Sequence, residues 1–267
     1  HGRIFSKIGS RKVILNDLSP AATFIAYSYN IPVDVDEFER ETSRILKEIE
    51  SECSWMYDTL HADRTEKGKI NYTIWSDICI CPECAKEIVF WEIAVGEEGC
   101  KVRDKLICTY CGANLTRHGL KKAWTTRFDK EINQTLTQVK QQPVLISYSY
   151  EGKRFEKKPD SIDLDLLKKL DDFDCSYWTP NNQLPNGYNT EQPKASHGLS
   201  HVHHFYIKRN LCVMAALFAK IKKPLHLFLG FTGPLVAVSK LYRWTPNYEG
   251  GGPLSGTLYA PAILRDI

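Results

Sequence analysis

The chain carries two pairs of cysteines with the same spacing, Cys81-Pro-Glu-Cys84 and Cys108-Thr-Tyr-Cys111. A gap of two residues lets both thiolates of a tight turn point at one ion, and the 23 residues between the pairs are enough for a short hairpin to bring the turns together. Thiolates in this arrangement are typical of a tetrahedral zinc site that has no open coordination position. The pattern therefore predicts a structural zinc ribbon over residues 71–115, in which Gly112 supplies the permissive backbone of the second turn.

The alternative interpretation of these residues is two accidental pairs of buried free thiols. Cys79 and Cys100 have no partner at the ligand spacing and are interpreted as packing residues. Trp75, Phe90 and Trp91 are expected to pack around the small metal core. The cysteine pattern indicates how one lobe is held together and leaves the function open.

Length and composition are those of an ordinary globular protein. The 267 residues are enough for roughly two domains, and 43% of them are hydrophobic and 25% charged. The nine cysteines are odd in number and dominated by the ribbon pattern, which argues against disulfides and favours an intracellular setting. No secretory signal is recognisable and no uninterrupted apolar run reaches membrane-spanning length, so we expect a cytoplasmic protein.

Charge is distributed unevenly along the chain. Residues 34–66 hold eleven acids against four Lys/Arg, whereas residues 117–158 hold ten Lys/Arg against four acids. Residues 192–248 hold eight Lys/Arg, five histidines and no acid. Such windows predict a surface that meets a polyanion. The alternative is a buried apolar segment whose few charges are solvated ends.

The chain is predicted to divide into four unlike segments: a strand and helix (1–33), an acidic helix (34–70), the zinc ribbon (71–115) and a basic region (116–267). In the first segment, residues 12–15 are predicted to form an apolar strand, and Ser19 and Pro20 to cap and begin a helix over 21–27. Asp17 follows that strand, where a carboxylate can bind the ribose of a nucleotide-like cofactor. The alternative role of Asp17 is a helix cap.

The other elements are read from hydrophobic periodicity and turn residues. A long helix is predicted over 34–60, a strand over 144–150 ending in the turn Glu151-Gly152, and a strand over 256–261. Residues 179–199 are rich in Pro, Asn and Gly and are predicted to form a working loop. Ser200 is predicted to cap a helix whose apolar stripe includes Leu211 and Met214.

A histidine cluster follows that loop. His197, His201, His203 and His204 lie within eight residues, but no H-E-x-x-H pattern and no nearby acid in the sequence supports a metal hydrolase. Packing, or contact with phosphates or base edges, is the better interpretation beside Lys208-Arg-Asn.

Four stretches together resemble a prokaryotic family, the adenine-specific DNA methyltransferases that contain a zinc ribbon. They are Leu15-Asn-Asp-Leu-Ser-Pro-Ala-Ala22, the ribbon entered by Tyr72-Thr-Ile-Trp-Ser-Asp77, Ser196-His-Gly-Leu-Ser-His-Val-His-His204 with Lys208-Arg-Asn-Leu211, and Gly256-Thr-Leu-Tyr-Ala-Pro261. The resemblance spans nearly the whole chain, and its motifs are specific in combination.

The resemblance implies methyl transfer from S-adenosylmethionine to the exocyclic amine of adenine in double-stranded DNA, with Asp17 as the acid that binds the cofactor's ribose. An F-x-G-x-G-like cofactor loop and a D-P-P-Y-like catalytic motif are absent from these residues. The implied fold is mixed α/β, a partial Rossmann-like methyltransferase edge plus an inserted zinc ribbon and a DNA-recognition region. We expect a fragment of a longer polypeptide that is inactive alone. The alternative is a zinc-ribbon nucleic-acid-binding protein that is not an enzyme.

Candidate DNA contacts come from the basic windows. The residues expected to bind phosphate are Lys121, Lys122, Arg127, Lys208 and Arg209. Those expected to reach base edges are His203, His204 and Asn210. Adenine must leave the stack before its amine can be reached, so the 179–199 loop is predicted to fill the gap that remains.

Overall fold

The computed structural model describes residues 9, 12–61, 65–95, 103, 105–221, 226–246, 252 and 258–267. These residues form a mixed α/β fold, and all strand pairings among them are antiparallel. The helices are α1 (Pro20–Asn30), α2 (Val35–Cys53), α3 (Phe90–Ala94), α4 (Ser161–Asp172), α5 (Tyr188–His197), α6 (Lys208–Lys220) and α7 (His226–Thr232). The strands are β1 (Asp58–Leu60), β2 (Lys67–Ile80), β3 (Glu87–Val89), β4 (Leu106–Ile107), β5 (Asn114–Leu115), β6 (Lys121–Lys122), β7 (Trp124–Asp129), β8 (Gln134–Val139), β9 (Gln141–Tyr150), β10 (Lys153–Lys157) and β11 (Ile263–Asp266).

The largest sheet is built around the 14-residue strand β2, which pairs with β1, β3, β6, β9 and β11. Strand β9 continues into β10 through the predicted turn at Glu151 and Gly152, whose φ values of 46° and 74° suit a tight hairpin turn. The predicted strand over 144–150 is therefore confirmed as the greater part of β9. Because β2 reaches from β1 to the first cysteine pair, it links the large sheet directly to the cysteine-containing lobe.

The first helix begins as predicted, but the strand before it does not form. The Ser19 hydroxyl accepts a hydrogen bond from the N–H of Ala22, and Pro20 occupies the first turn of α1. Residues 12–16 have no regular structure, and Ile14 and Leu18 are fully exposed. The prediction of a strand over 12–15 is wrong for this structure, because no described strand lies alongside to accept its backbone hydrogen bonds.

The predicted acidic helix is shorter than its periodicity suggested. Asp34 caps α2 by accepting from the N–H of Glu37, but the helix ends at Cys53. A 3₁₀ turn over Ser54–Tyr57 follows, and β1 then pairs with the start of β2, where Lys67 and Lys69 form ion pairs with Asp58. Strand pairing therefore replaces the last turns of the expected helix.

The acidic helix α2 packs against α6, which lies in the acid-free window. Cys53 and Met56 share a core with Cys212 and Ala216, and Lys220 forms ion pairs with Glu52 (3.0 Å) and Glu48 (3.6 Å). The acidic segment therefore lies beside the acid-free window, because an amphipathic helix buries its apolar stripe against whichever element supplies the matching stripe.

Three further boundaries differ from expectation. The predicted loop over 179–199 contains α5, and the predicted helix after Ser200 is a 3₁₀ turn, Val202–Phe205, followed by α6. The α6 stripe is confirmed, since Leu211 and Met214 are buried. Residues 258–261 are not a strand, and the final strand is β11, which pairs with β2; residues 256 and 257 lie outside the described residues.

Among the described helices, none has the length and apolar character needed to cross a membrane.

Candidate metal centre and nucleic-acid interface

The four cysteines of the repeated motif converge on one point. The sulfurs of Cys81 and Cys111 lie 3.8 Å apart, as do those of Cys84 and Cys108, and all four lie within 4.8 Å of one another. A tetrahedral site with metal–sulfur bonds of about 2.3 Å places its sulfurs about 3.8 Å apart. The cluster could therefore bind a metal ion, and its dimensions are compatible with zinc.

The two cysteine turns have matching backbone geometry. In the first, Ala85 N–H donates to Cys81 O (2.9 Å) and Cys81 N–H to Lys86 O (3.0 Å); in the second, Gly112 N–H donates to Cys108 O and Cys108 N–H to Ala113 O, both at 3.0 Å. The residue after each second cysteine has a positive φ, 58° at Ala85 and 72° at Gly112. The predicted role of Gly112 is confirmed, and Ala85 occupies the equivalent position with a less favourable residue.

The two thiols of the second turn differ in acidity. The Ala113 N–H acts to lower the pKa of Cys111, but burial and the neighbouring cysteine thiols outweigh it and raise that pKa. The N–H groups of Cys111 and Tyr110 lower the pKa of the Cys108 thiol to about 6.

Cys79 lies in the neighbouring hydrophobic core, where burial raises its pKa to about 11, so the prediction that it is a packing residue is confirmed. Cys100 lies outside the described residues.

The described part of the connection between the two turns contains β3, α3 and β4. Trp91 of α3 packs in the same core as Cys81 and Cys108. Phe90 packs at the edge of that core.

The β7–β8 hairpin is an exposed part of the basic region. Its register pairs Trp124 with Val139, Thr126 with Thr137 and Phe128 with Thr135, which places these six side chains on one face. All of them except Val139 are exposed. The opposite face holds Asp129 and Gln138, which are buried.

The histidine cluster holds the buried face of this hairpin. Asp129 Oδ2 accepts hydrogen bonds from Nε2 of His203 and of His204, each at 2.8 Å, and Asp129 Oδ1 accepts from the N–H of Glu131 at 3.0 Å. The amide of Gln138 donates to the carbonyl of Gly198 at 3.3 Å. His203 and His204 are buried, so the prediction that they reach base edges is corrected: they anchor the hairpin from behind.

Gly198 allows this close approach. Its φ is 73°, and a Cβ atom there would lie 2.3 Å from the carbonyl oxygen of Thr137. Glycine is therefore required both by the backbone conformation and by the space beside β8.

Asp129, His203 and His204 are close enough to share a metal ion, but the hydrogen bonds of His204 argue against it. Its Nδ1 accepts from the N–H groups of Ser200 (3.2 Å) and His201 (3.3 Å), which leaves the ring hydrogen on Nε2, the atom that faces Asp129. A metal ligand at Nε2 would need the hydrogen on Nδ1, where it would meet two N–H donors. The cluster is thus better suited to hydrogen bonding than to metal coordination.

Burial and hydrogen bonding fix the ionisation of this cluster. Burial lowers the pKa of His204 to about 4, so the imidazole is neutral at pH 7. Burial acts to raise the pKa of Asp129, but the hydrogen bonds from His203 and His204 outweigh it and lower that pKa to about 2. The anchor therefore consists of a carboxylate held by two imidazole N–H donors.

A second buried carboxylate, that of Asp77, holds β6, the strand that precedes the hairpin. Asp77 Oδ2 accepts from Lys122 Nζ at 2.8 Å, and Asp77 Oδ1 accepts from the amide of Gln141 at 2.8 Å. His197 Nε2 lies 3.2 Å from Asp77 Oδ2. Burial lowers the pKa of His197, whereas hydrogen bonds from His197 and Lys122 lower the pKa of Asp77 against the effect of burial. Lys122, predicted to bind phosphate, is thus engaged in an internal ion pair.

Arg209 and Asn210 lie in the first turn of α6 and are buried against the large sheet. Arg209 donates to both Asp266 and Thr73, and Asn210 donates to Asp266 Oδ1 at 2.6 Å while accepting from Tyr57 at 2.8 Å. Arg209 is 2% exposed and Asn210 1%. Their predicted DNA contacts are corrected, because neither side chain is accessible to a duplex.

The remaining phosphate candidates differ in their availability. Lys208 is partly buried and forms an ion pair with Glu131 at 3.4 Å. Lys121 and Arg127 are exposed, and in the described portion of the chain neither has an ion-pair partner. Of the five predicted phosphate contacts, Lys121 on β6 and Arg127 on β7 therefore remain available to a duplex.

Asp17 lies at the entrance to α1. Its side chain is exposed, and Oδ1 accepts from the N–H of Ser19 at 2.8 Å, which forms a small turn ahead of the helix. This contact matches the helix-entry role that was its alternative interpretation, and Oδ2 faces no donor among the described residues.

Sequence reasoning missed three acids and one aromatic face. Asp77, Asp129 and Asp266 each satisfy buried cations or histidines, and no local pattern marks those pairings. Trp124 and Phe128 did carry a signal, because the alternation Trp-Thr-Thr-Arg-Phe-Asp is typical of a strand with one aromatic face.

No protein-family model, no curated protein and no solved structure matches the chain.

Proposed function

We propose that the chain is the DNA-recognition portion of an S-adenosylmethionine-dependent methyltransferase that modifies the N6 amine of adenine. The observation that carries the proposal is the exposure of Lys121 and Arg127 and their lack of ion pairs in the described residues. Lys122, Lys208 and Arg209 from the same basic windows form ion pairs with acids of the chain, whereas Lys121 and Arg127 stay exposed without one in the described residues. Exposed cations such as these, on β6 and β7, are suited to DNA phosphates.

We propose further that the cysteine cluster is a zinc ribbon that fixes the base of this surface. Strand β2 ends at the first cysteine turn, and β6 pairs with its last residues, so Lys121 lies opposite Ile80. The metal would be held by Cys81, Cys84, Cys108 and Cys111 and would contribute to folding rather than to methyl transfer.

The proposed cofactor contact is Asp17. Its exposed carboxylate lies at a helix entrance, and Oδ2, which faces no donor among the described residues, can accept a hydrogen bond from a ribose hydroxyl. When bound, S-adenosylmethionine would supply the methyl group. Ile14 and Leu18 beside Asp17 are fully exposed, which is consistent with a surface that packs against further parts of a Rossmann-like methyltransferase polypeptide.

Two binding measurements test the proposal. Fluorescence anisotropy with a labelled duplex should show affinity that falls steeply as salt rises, and absence of binding at low salt would refute DNA recognition. Equilibrium dialysis with labelled S-adenosylmethionine should show weak binding that Asp17→Ala abolishes. DNA binding without any cofactor binding would instead favour a zinc-ribbon nucleic-acid-binding protein that is not an enzyme. Methyl transfer by these 267 residues alone would contradict the assignment of the catalytic motif to another part of the protein.

A further inference from the structure

The core shared by α2, α4 and α6 contains three cysteines from three different segments. Cys53 ends α2 and Cys212 lies on α6, and both are buried, whereas Cys175 is half-buried and packs against the same core from the segment after α4. All three are free thiols. They do not belong to the four-cysteine cluster, and the proposed function gives them no role.

The segment that carries Cys175 alternates between the core and solvent. Phe173, Cys175 and Tyr177 pack against the core, whereas the residues between them are exposed. This alternation is typical of an extended chain, and it brings the Cys175 thiol to Cys212, which is 2% exposed. The pair therefore has one thiol that a small solute can reach and one that is sheltered behind it.

The surroundings of Cys175 favour its thiolate. A hydrogen bond from the Cys212 thiol is the main cause that lowers the pKa of Cys175 to about 6, against the effect of burial. The N–H of Tyr177 and the ammonium of Lys208 act in the same direction, and Glu131 acts against them. Lys208 and Cys212 are four residues apart on α6 and lie on one face of it, so Cys175 meets a cation and a thiol donor together. The thiolate is the form of cysteine that attacks an oxidant.

Cys53 provides a contrast within the same core. It is 4% exposed, and burial is the main cause that raises its pKa, with a smaller contribution from Glu52. A buried thiol of this kind stays protonated near pH 7 and is inert. Cys175 is therefore the reactive member of the three, and Cys212 is the thiol that lies in contact with it.

We propose that Cys175 and Cys212 are a redox pair that a peroxide oxidises to a reversible disulfide, with Cys175 as the attacking thiolate and Cys212 as the resolving thiol. A thiolate within reach of solvent and a second thiol beside it are typical of cysteines that respond to oxidants. The inference stands apart from the proposed DNA recognition, because it uses neither Lys121 and Arg127 nor the four-cysteine cluster.

The chemistry balances in two steps. The Cys175 thiolate attacks one oxygen of the peroxide, so that a sulfur–oxygen bond forms, the oxygen–oxygen bond breaks, and an alcohol, or water from hydrogen peroxide, leaves after taking up one proton. The Cys212 thiol then gives up its proton and attacks the sulfur of the Cys175 sulfenic acid, whose hydroxyl group leaves as water. Two electrons pass from the two sulfurs to the peroxide. A dithiol reductant reverses the reaction by thiol–disulfide exchange.

Peptide mapping of the full chain tests the pair directly. The protein is treated with hydrogen peroxide at pH 7, alkylated with iodoacetamide and digested with trypsin, which releases residues 170–194 with Cys175 and residues 210–220 with Cys212 as their only cysteines. A linked peptide with the summed mass less two hydrogens should appear in the oxidised wild type and disappear after dithiothreitol. Before oxidation, Cys175 should react with iodoacetamide about tenfold faster than Cys53 at pH 7.

Three variants assign the roles of the thiols. Cys212→Ala should accumulate sulfenic acid on Cys175, which dimedone traps, and the wild type should show about tenfold less. Cys175→Ser should leave Cys212 reduced. Cys53→Ala is the matched control, because it removes the third thiol of the core and should form the same disulfide as the wild type. Circular dichroism confirms that each variant is folded.

Two results would overturn the proposal. A wild type that gives no linked peptide, or in which Cys175 is oxidised without Cys212, would show that the two thiols only pack in the core. A cross-link from Cys53 in place of this one would show that the reactive pair is a different one. The mapping of the wild type needs no substitution, so it decides the question even if a variant fails to fold.

Discussion

His204 donates its Nε2 hydrogen to Asp129 at 2.8 Å, and this contact joins a histidine-rich turn to a strand 75 residues earlier in the chain. The turn buries His203 and His204, and these two residues fix the hairpin whose other face is exposed. The motif that suggested direct DNA contact therefore holds the strand on which Arg127 lies.

The cysteine cluster should hold one zinc ion per chain. Cys84→Ser and Cys108→Ser should lose the ion and unfold the cysteine lobe, because closed thiolate sites couple metal binding to folding. The apparent free energy of zinc binding is about 10–16 kcal/mol in small peptides. Cys79→Ala, which removes a neighbouring cysteine that is not a ligand, should keep the ion. Elemental analysis of protein purified without chelator measures the stoichiometry, and a protein without zinc would contradict the assignment.

The two cysteine turns offer a matched test of backbone strain. Ala85→Gly should raise the free energy of unfolding by up to about 1 kcal/mol, because glycine adopts the positive φ at that position without strain. Gly112→Ala should lower it by about the same amount, although a Cβ atom at Gly112 would meet nothing within 4 Å. Chemical denaturation with metal bound measures both changes. If Ala85→Gly and Gly112→Ala changed the free energy of unfolding equally and in the same direction, the two turns would not be equivalent.

Arg209 should act on stability and not on DNA contact. Arg209→Ala leaves the buried carboxylate of Asp266 without its cation and should cost about 3–5 kcal/mol. Asp266→Asn leaves the buried guanidinium of Arg209 without its anion and should cost at least as much, because arginine cannot lose its proton. Burial raises the pKa of the Asp266 carboxyl, so that group can instead take up a proton when Arg209 is removed. Thermal unfolding measures the losses. An Arg209→Ala protein of unchanged stability that binds DNA less tightly would restore the original interpretation.

The hairpin anchor should weaken in acid. The pKa of His204 is about 4 in the folded protein and about 6.5 in an unfolded chain, so the unfolded state takes up the proton first as pH falls. Stability is therefore fully present above about pH 6.5 and is lost toward pH 4, on the order of 2–3 kcal/mol from this residue. Asp129, with a folded pKa of about 2, adds a further loss only below about pH 4.

Urea unfolding of wild type and His204→Asn at pH 7, 5.5 and 4.5 isolates this contribution. The variant should be less stable at pH 7 but should lose less stability on acidification, because its side chain does not titrate. His197, whose pKa is also lowered by burial, remains in both proteins and cancels in the difference. Parallel pH curves for the two proteins would exclude His204 as the source.

Local patterns predicted the parts of the structure that depend on local chemistry. The cysteine spacing, the Ser19 cap and the Glu151-Gly152 turn each involve residues close in sequence, and the structure contains all three. The buried ion pairs could not be predicted from the sequence, because Arg209 and Asp266 are 57 residues apart and no local pattern links them. The acid-free window appeared cationic for the same reason: the acids that neutralise it, such as Glu52 and Glu131, lie outside it.

The most direct test of the account is the salt dependence of duplex binding by wild type, Lys121→Ala and Arg127→Ala. A log–log plot of affinity against salt should fall with a slope of about −0.9 for each phosphate contact. Each replacement should weaken all duplexes similarly and reduce the slope by about one unit, whereas Lys168→Ala, on exposed α4, should not. Binding that is no tighter at low salt, or slopes that neither variant changes, would show that Lys121 and Arg127 are solvated surface and that the chain does not recognise DNA through them.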